Sequence, residues 1–216
     1  TENIIKQTFI ADYSIIAKKA NKMAKILTNG NLVTVKTIAG TNISFSIKGR
    51  KGLVDTGIVK KPGSFTNLPA GESYIAPVEK TANGIIVIDG SLALFGKIKN
   101  YIKLNVVNGY VARIEGDIKI SYKLNELLSK YPKIARNIAE FGIGVNNKAK
   151  ITGNVLEDEK AINTVHIALG NNKSFGTGSV NILSSLKNLD QALADLRDKQ
   201  ALDSSDIAGI QSSIAS

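Results

Sequence analysis

Cysteine and tryptophan are absent from this 216-residue chain, and histidine and methionine occur once each. Without cysteine there is neither a disulfide framework nor a thiolate metal site, and the redox compartment stays open, because a cysteine-free chain survives in either environment. With one histidine, any catalytic metal site must draw its other donors from carboxylates. Long apolar runs are missing too. Ile85 to Ile88 is among the longest aliphatic stretches, far short of the roughly 18 residues that span a bilayer, so the expectation is a soluble protein with no membrane partner. Arginine is scarce, occurring only as Arg50, Arg113, Arg136 and Arg197, so the net charge of +10 is carried mainly by lysine. Lysine gives a diffuse field rather than bidentate phosphate or guanine contacts. The densest basic patches, Lys48 to Lys51 and Lys60-Lys61, have no interleaved aromatics on which bases could stack, so the charge reads as solvated surface and nucleic acid is not the expected partner. Phosphate-binding loops are absent as well: Gly170 and Gly176 lack Walker spacing, and Gly176-Thr177-Gly178 lacks the third glycine of a dinucleotide fingerprint.

What is present begins with length. A 43% hydrophobic chain of this size can bury one full core, with or without an appendage. Ile16, Ala20, Met23 and Leu27 recur at helical spacing opposite Lys18, Lys19, Lys22 and Lys25, and Asn29-Gly30 supplies a stop. Two stretches rich in β-branched residues, Leu32 to Thr37 and Asn42 to Ile47, flank Ala39-Gly40-Thr41 and predict a hairpin. Further strands are expected at Ser73 to Val78, Gly84 to Asp89, Ala93 to Ile98, Ile102 to Val107 and Tyr110 to Ile114, several ending in turn pairs such as Asn108-Gly109. Tyr122 to Ala139 returns to helical spacing, with Pro132 marking a break or the start of a second helix. Strands joined mostly as hairpins predict an α+β domain with a largely antiparallel sheet and flanking helices.

The segment Gly153 to Lys160 gathers Glu157, Asp158 and Glu159, and the lone histidine follows in Thr164 to Leu169. Alternation puts Val165, Ile167 and Leu169 on one face and His166 on the other, beside the small Thr164 and Ala168. Two readings stand. Carboxylates and a neutral imidazole are a ligand set for a divalent cation; equally, the acidic run suits the first turn of a helix and His166 an ordinary strand position.

The end of the chain differs in character. Ile182, Leu186, Leu189, Leu193 and Leu196 form a narrow seam, then Asp203 to Asp206 can cap a second helix bearing Ile207, Ile210 and Ile214. Residues 187–216 are net −2 against +12 for residues 1–186. The expected division is a body over 1–178 and a helical hairpin over 179–216. Its seam must pack either on the body or on other copies, making a homo-oligomer the expected assembly.

Several motifs in one order, Pro62 to Glu72, Ile75 to Glu79, Ile88 to Ser91 and Ala135 to Gly144, resemble the metal-binding domain of the thermophilic aminopeptidase family, the relatives of aminopeptidases S and T. The resemblance runs from about Asp12 to Phe175. It implies a cytoplasmic hydrolase, a metalloprotease with a peptide substrate and with zinc, cobalt, manganese or iron as cofactor; a mononuclear iron dioxygenase acting on hydroxylated pyridines is a related branch. Carried over, Glu72 and His166 match metal ligands, Asp190 in Asn188-Leu189-Asp190 stands nearest the family's His-Leu-Asp segment, and Glu140 or Glu159 is the candidate base. Ile143 occupies the place of a further glutamate ligand, the second family histidine is missing, and the preceding domain of full-length members lies outside these residues. The implied function is therefore an aminopeptidase-like domain whose activity is impaired or lost, with no bound metal if the site is degenerate. The alternative is a non-catalytic subunit that self-assembles through its tail.

Overall fold

The computed structural model describes residues 8–173. The helical hairpin expected over 179–216, and Asp190 within it, lie outside the described residues. Helix α1 spans Tyr13–Asn29; Asp12 caps it by accepting from the Ser14 and Ile15 N–H groups, and it ends at Gly30. It buries Ile16, Ala20, Ala24 and Leu27, so Met23, half-buried, borders the seam rather than lying in it.

The strands are β1 Leu32–Lys36, β2 Asn42–Ser46, β3 Leu53–Asp55, β4 Glu72–Ile75, β5 Asn83–Ile88, β6 Ser91–Leu92, β7 Gly96–Lys97, β8 Ile102–Val107, β9 Tyr110–Gly116, β10 Ile138–Gly144 and β11 Val165–Leu169. Five of them form one sheet in the order β1-β2-β5-β8-β9, and four form a second in the order β11-β10-β4-β3. Every pairing between these strands is antiparallel. With helix α2 over Ile118–Ser129 and a short α3 over Val155–Asp158, this is the expected α+β class.

One apolar core is shared by both sheets. Ile43, Phe45, Ile86, Leu104 and Val106 enter it from the first, Ile75, Ile138 and Phe141 from the second. The rings of Phe45 and Phe141 meet across it, 5.3 Å apart and tilted. Burial of this apolar surface is the main stabilising term. The turn between β8 and β9 uses Asn108 and Gly109, both at positive φ, the pair that suits a two-residue hairpin.

Two expectations fail. Ala93 to Ile98 is not one strand but the turn and second arm of a small β6-β7 hairpin, with Leu94 at φ 72°. The helical pattern of Tyr122 to Ala139 ends early: α2 stops at Ser129, Lys133–Arg136 is a 3-10 turn, and Ile138 already belongs to β10. Pro132 removes a backbone donor and fixes its own φ, and beyond it pairing with two neighbouring strands overrides the residual helical spacing.

Candidate metal centre

The second sheet has two chemically different faces. Its register pairs Gly142 with both His166 and Tyr74, Gly144 with Glu72, and Glu72 with Asp55. Because paired residues share a face and alternation has period two, Asp55, Glu72, Tyr74, Glu140 and His166 project together. Phe141, Ile143, Ile75 and Ile167 project the other way, into or against the core. The alternation expected around His166 is thus the observed one.

Glycine makes room on the polar face. A Cβ at Gly142 would lie 2.0 Å from His166 Nε2 and 2.1 Å from Cε1, so the imidazole lies across the strand where a side chain would be. A Cβ at Gly144 would lie 2.0 Å from the Ala161 carbonyl oxygen. That space admits the segment after α3, pinned by hydrogen bonds from Asn146 N–H to the Lys160 carbonyl and from Ile162 N–H to the Asn146 carbonyl.

On this face Glu72 and His166, 94 positions apart in sequence, are neighbours: Nε2 lies 3.1 Å from Glu72 Oε2 and 3.4 Å from Glu140 Oε1. With His166 protonated both approaches are ion pairs, although neither meets the geometry of a hydrogen bond. Glu72 Oε2 and both ring nitrogens of His166 are buried without hydrogen-bond partners. Such orphans are rare, because leaving a buried polar group unsatisfied costs about 1–3 kcal/mol. The other oxygen of Glu72, Oε1, accepts a 2.6 Å hydrogen bond from Lys160 Nζ. Lys160 also donates to Glu159 Oε2 at 3.1 Å and lies 3.8 Å from Asp55 Oδ2, with its side chain 1% exposed.

The charges set the protonation states. Burial pushes the Glu72 carboxyl up, but Lys160 and then His166 more than offset this and hold it at about 2. Burial pushes His166 down, and Glu140 and Glu72 reverse the shift to about 10. Lys160 is likewise disfavoured by burial, yet Glu72 and Glu159 raise it above its ordinary value. Burial pushes the Glu159 carboxyl up despite Lys160. Burial, then Glu140 and Glu72, push the Tyr74 hydroxyl to about 12.

Several residues take other roles. Glu157 and Asp158 are structural: Glu157 accepts from Thr8, Lys150 and Thr152, and Asp158 from Thr152 and Gly153. The loop at Asn67 is held by Asp55, which accepts from Thr66 Oγ1 and from the Asn67 backbone and side-chain amides. Lys160, Asp55 and Gly142 were not singled out from the sequence. A lysine closing an acidic run carries no local mark that distinguishes it from a solvated one.

Among the described residues no group of three or more histidine, aspartate or glutamate side chains is arranged as a complete metal-binding group. The orphaned atoms nevertheless fit part of one. Separations of 3.1 and 3.4 Å between unbonded donors compare with the roughly 3 Å edge between adjacent ligands that each make bonds of about 2.1 Å to one ion.

Residues 7–188 match the profile of the NicX family, 2,5-dihydroxypyridine 5,6-dioxygenase. The chain belongs to this family. No curated protein matches it. Among solved structures, it is similar to 2,5-dihydroxypyridine dioxygenase from Pseudomonas putida KT2440, with a TM-score of 0.69, 16% identity, and coverage of 82% of this chain and 54% of that one. It is also similar to wild-type AmpT from Thermus thermophilus, with a TM-score of 0.62, 18% identity, and coverage of 88% and 47%. The chain thus spans about half the length of these structures, and at such identities they speak for the fold. AmpT thus shares the fold of this chain. The aminopeptidase-like function, with its hydrolase and metalloprotease chemistry, is corrected by the NicX match, since that family is described by a dioxygenase and not by a peptidase. A shared fold explains the difference, since one scaffold hosts several chemistries. Among the described residues no helix is long and apolar enough to cross a membrane.

Proposed function

We propose that this NicX-family chain carries the metal-centre half of an oxygenase acting on a small hydroxylated pyridine, with one ferrous ion held by Glu72 and His166. The observation that carries the reading is the convergence of Glu72 Oε2 and His166 Nε2, 3.1 Å apart, buried and without hydrogen-bond partners, beside Glu140. An iron ion bound there would supply the redox chemistry that lets dioxygen react with an electron-rich ring.

The chain's own residues have separable tasks. Lys160, hydrogen-bonded to Oε1, keeps Glu72 ionised and fixes the direction of Oε2. Gly142 leaves the space in which His166 lies. Glu140, whose Oε1 faces the imidazole, is placed to take the proton of a ring hydroxyl as the substrate binds. Glu159, tied to Lys160 and pushed towards its neutral form by burial, can hold a proton within the same network. The test is oxygen uptake on adding 2,5-dihydroxypyridine to protein reconstituted anaerobically with ferrous ion. Stoichiometric uptake lost in Glu72→Gln and His166→Ala is expected; no uptake by the iron-loaded wild type would refute the reading.

A further inference from the structure

Glu72 presents its two carboxylate oxygens to two different positions. Oε2 faces His166 Nε2, which also lies beside Glu140, while Oε1 faces Lys160 Nζ. A carboxylate used in this way is what two-metal sites place between ions about 3.5–4 Å apart. The second position also has the surroundings of a cation site: oxygens of Glu72, Glu159 and Asp55 lie 2.6, 3.1 and 3.8 Å from the ammonium, which is 1% exposed. Three carboxylates converging on one buried point demand a cation there, because isolated buried charges are among the costliest features a fold can carry. This chain supplies that cation itself.

We propose that Lys160 is a built-in substitute for a second metal ion and limits the centre to a single divalent cation. The argument rests on the metal reading above and goes beyond it: it concerns the number of ions, and assigns Lys160 a positioning role. The tether explains why the position is filled. Lys160 follows α3 and its backbone carbonyl is held by Asn146, so the ammonium is delivered to the carboxylates whenever the domain is folded, and an external dication would have to displace a covalently attached competitor.

Removing the ammonium should convert its cage into a second site. The experiment is cobalt(II) stoichiometry, measured anaerobically by titration calorimetry and by elemental analysis after gel filtration, on wild type, Lys160→Ala and the charge-retaining Lys160→Arg. The expected result is one equivalent for wild type and Lys160→Arg and two for Lys160→Ala. Should the alanine variant fail to fold without metal, Lys160→Gln, which keeps N–H donors for Glu72 and Glu159 but no charge, takes its place with the same expectation of a second equivalent. One equivalent in the neutral variants overturns the inference and leaves the metal reading standing, as do two equivalents in wild type. No cobalt bound by wild type overturns both.

Discussion

Gly142 offers a direct test of how the centre is built. In Gly142→Ala the new methyl would stand 2.0 Å from His166 Nε2 and 2.1 Å from Cε1, where carbon contacts settle at about 3.5–4.0 Å. The backbone has little freedom to relieve this, because Gly142 is paired on both sides, with Tyr74 of β4 and His166 of β11. The ring must therefore leave its place beside Glu72 and Glu140. Overpacking of this kind costs about 1–3 kcal/mol. The φ of Gly142 is not in the left-handed region, so with the imidazole gone alanine should be neutral or stabilising by up to about 1 kcal/mol through the unfolded state. A double-mutant cycle with His166→Ala, read by urea unfolding with unchanged m-value, should give a coupling energy of about 1–3 kcal/mol. Gly142→Ala should also lose cobalt(II) uptake although it removes no ligand. Equal costs of Gly142→Ala in the wild-type and His166→Ala backgrounds would refute the contact on which the site's geometry rests.

Two pH dependences follow from the same face. Glu72 is held at about 2 against an ordinary 4.5, mainly by Lys160 and against the effect of burial; its contribution to stability is present above pH 4.5 and lost as pH falls towards 2. Urea midpoints should thus fall more steeply over that window for wild type than for Glu72→Gln, and parallel profiles would contradict the ion pair. Tyr74, pushed to about 12 by burial, Glu140 and Glu72, keeps its proton in the fold where the unfolded chain loses it from about pH 10, so it lowers stability as pH rises between these values. Absorbance titration of tyrosinate should show a late step that Tyr74→Phe removes; loss from the step near pH 10 instead would place Tyr74 in water.

Much of the fold was legible because its elements carry strong local signals. The α1 stripe, the β1-β2 hairpin and the Asn108-Gly109 turn all follow from side chains a few residues apart, and each forms where expected. β10 was not legible. Its first two residues, Ile138 and Ala139, fall at the end of the helical spacing read over Tyr122 to Ala139, and only the two strands that flank it, one of them far earlier in sequence, make Ile138–Gly144 extended. The proximity of Glu72 and His166 was legible only through the family resemblance, since no local pattern joins residues 94 positions apart. Lys160 shows the limit most sharply. In sequence it closes an acidic run beside Glu159; in the fold it is among the most buried large side chains, and only the pairing of β3 with β4 brings Asp55 and Glu72 to it.

That register also explains why the chemistry of β10 sits at Glu140 and not at Ile143. The ladder between β10 and β11 shifts between Ile138 and Glu140, then runs regularly through Phe141–Ile167, Gly142–His166 and Ile143–Val165. From Glu140 onward, even-numbered positions share the face of His166 and Glu72, and odd-numbered ones face the core, where Phe141 meets Phe45 and Ile143 packs against its margin. The resemblance placed a glutamate ligand at 143. A carboxylate there would enter the apolar layer between the sheets, at the cost of burying an unpaired charge, while the centre would gain nothing. The irregularity between Ile138 and Glu140 keeps Ile138 in the core and still delivers Glu140 to within 3.4 Å of the imidazole, so a one-residue shift in the ladder decides which side chain of β10 reaches the centre.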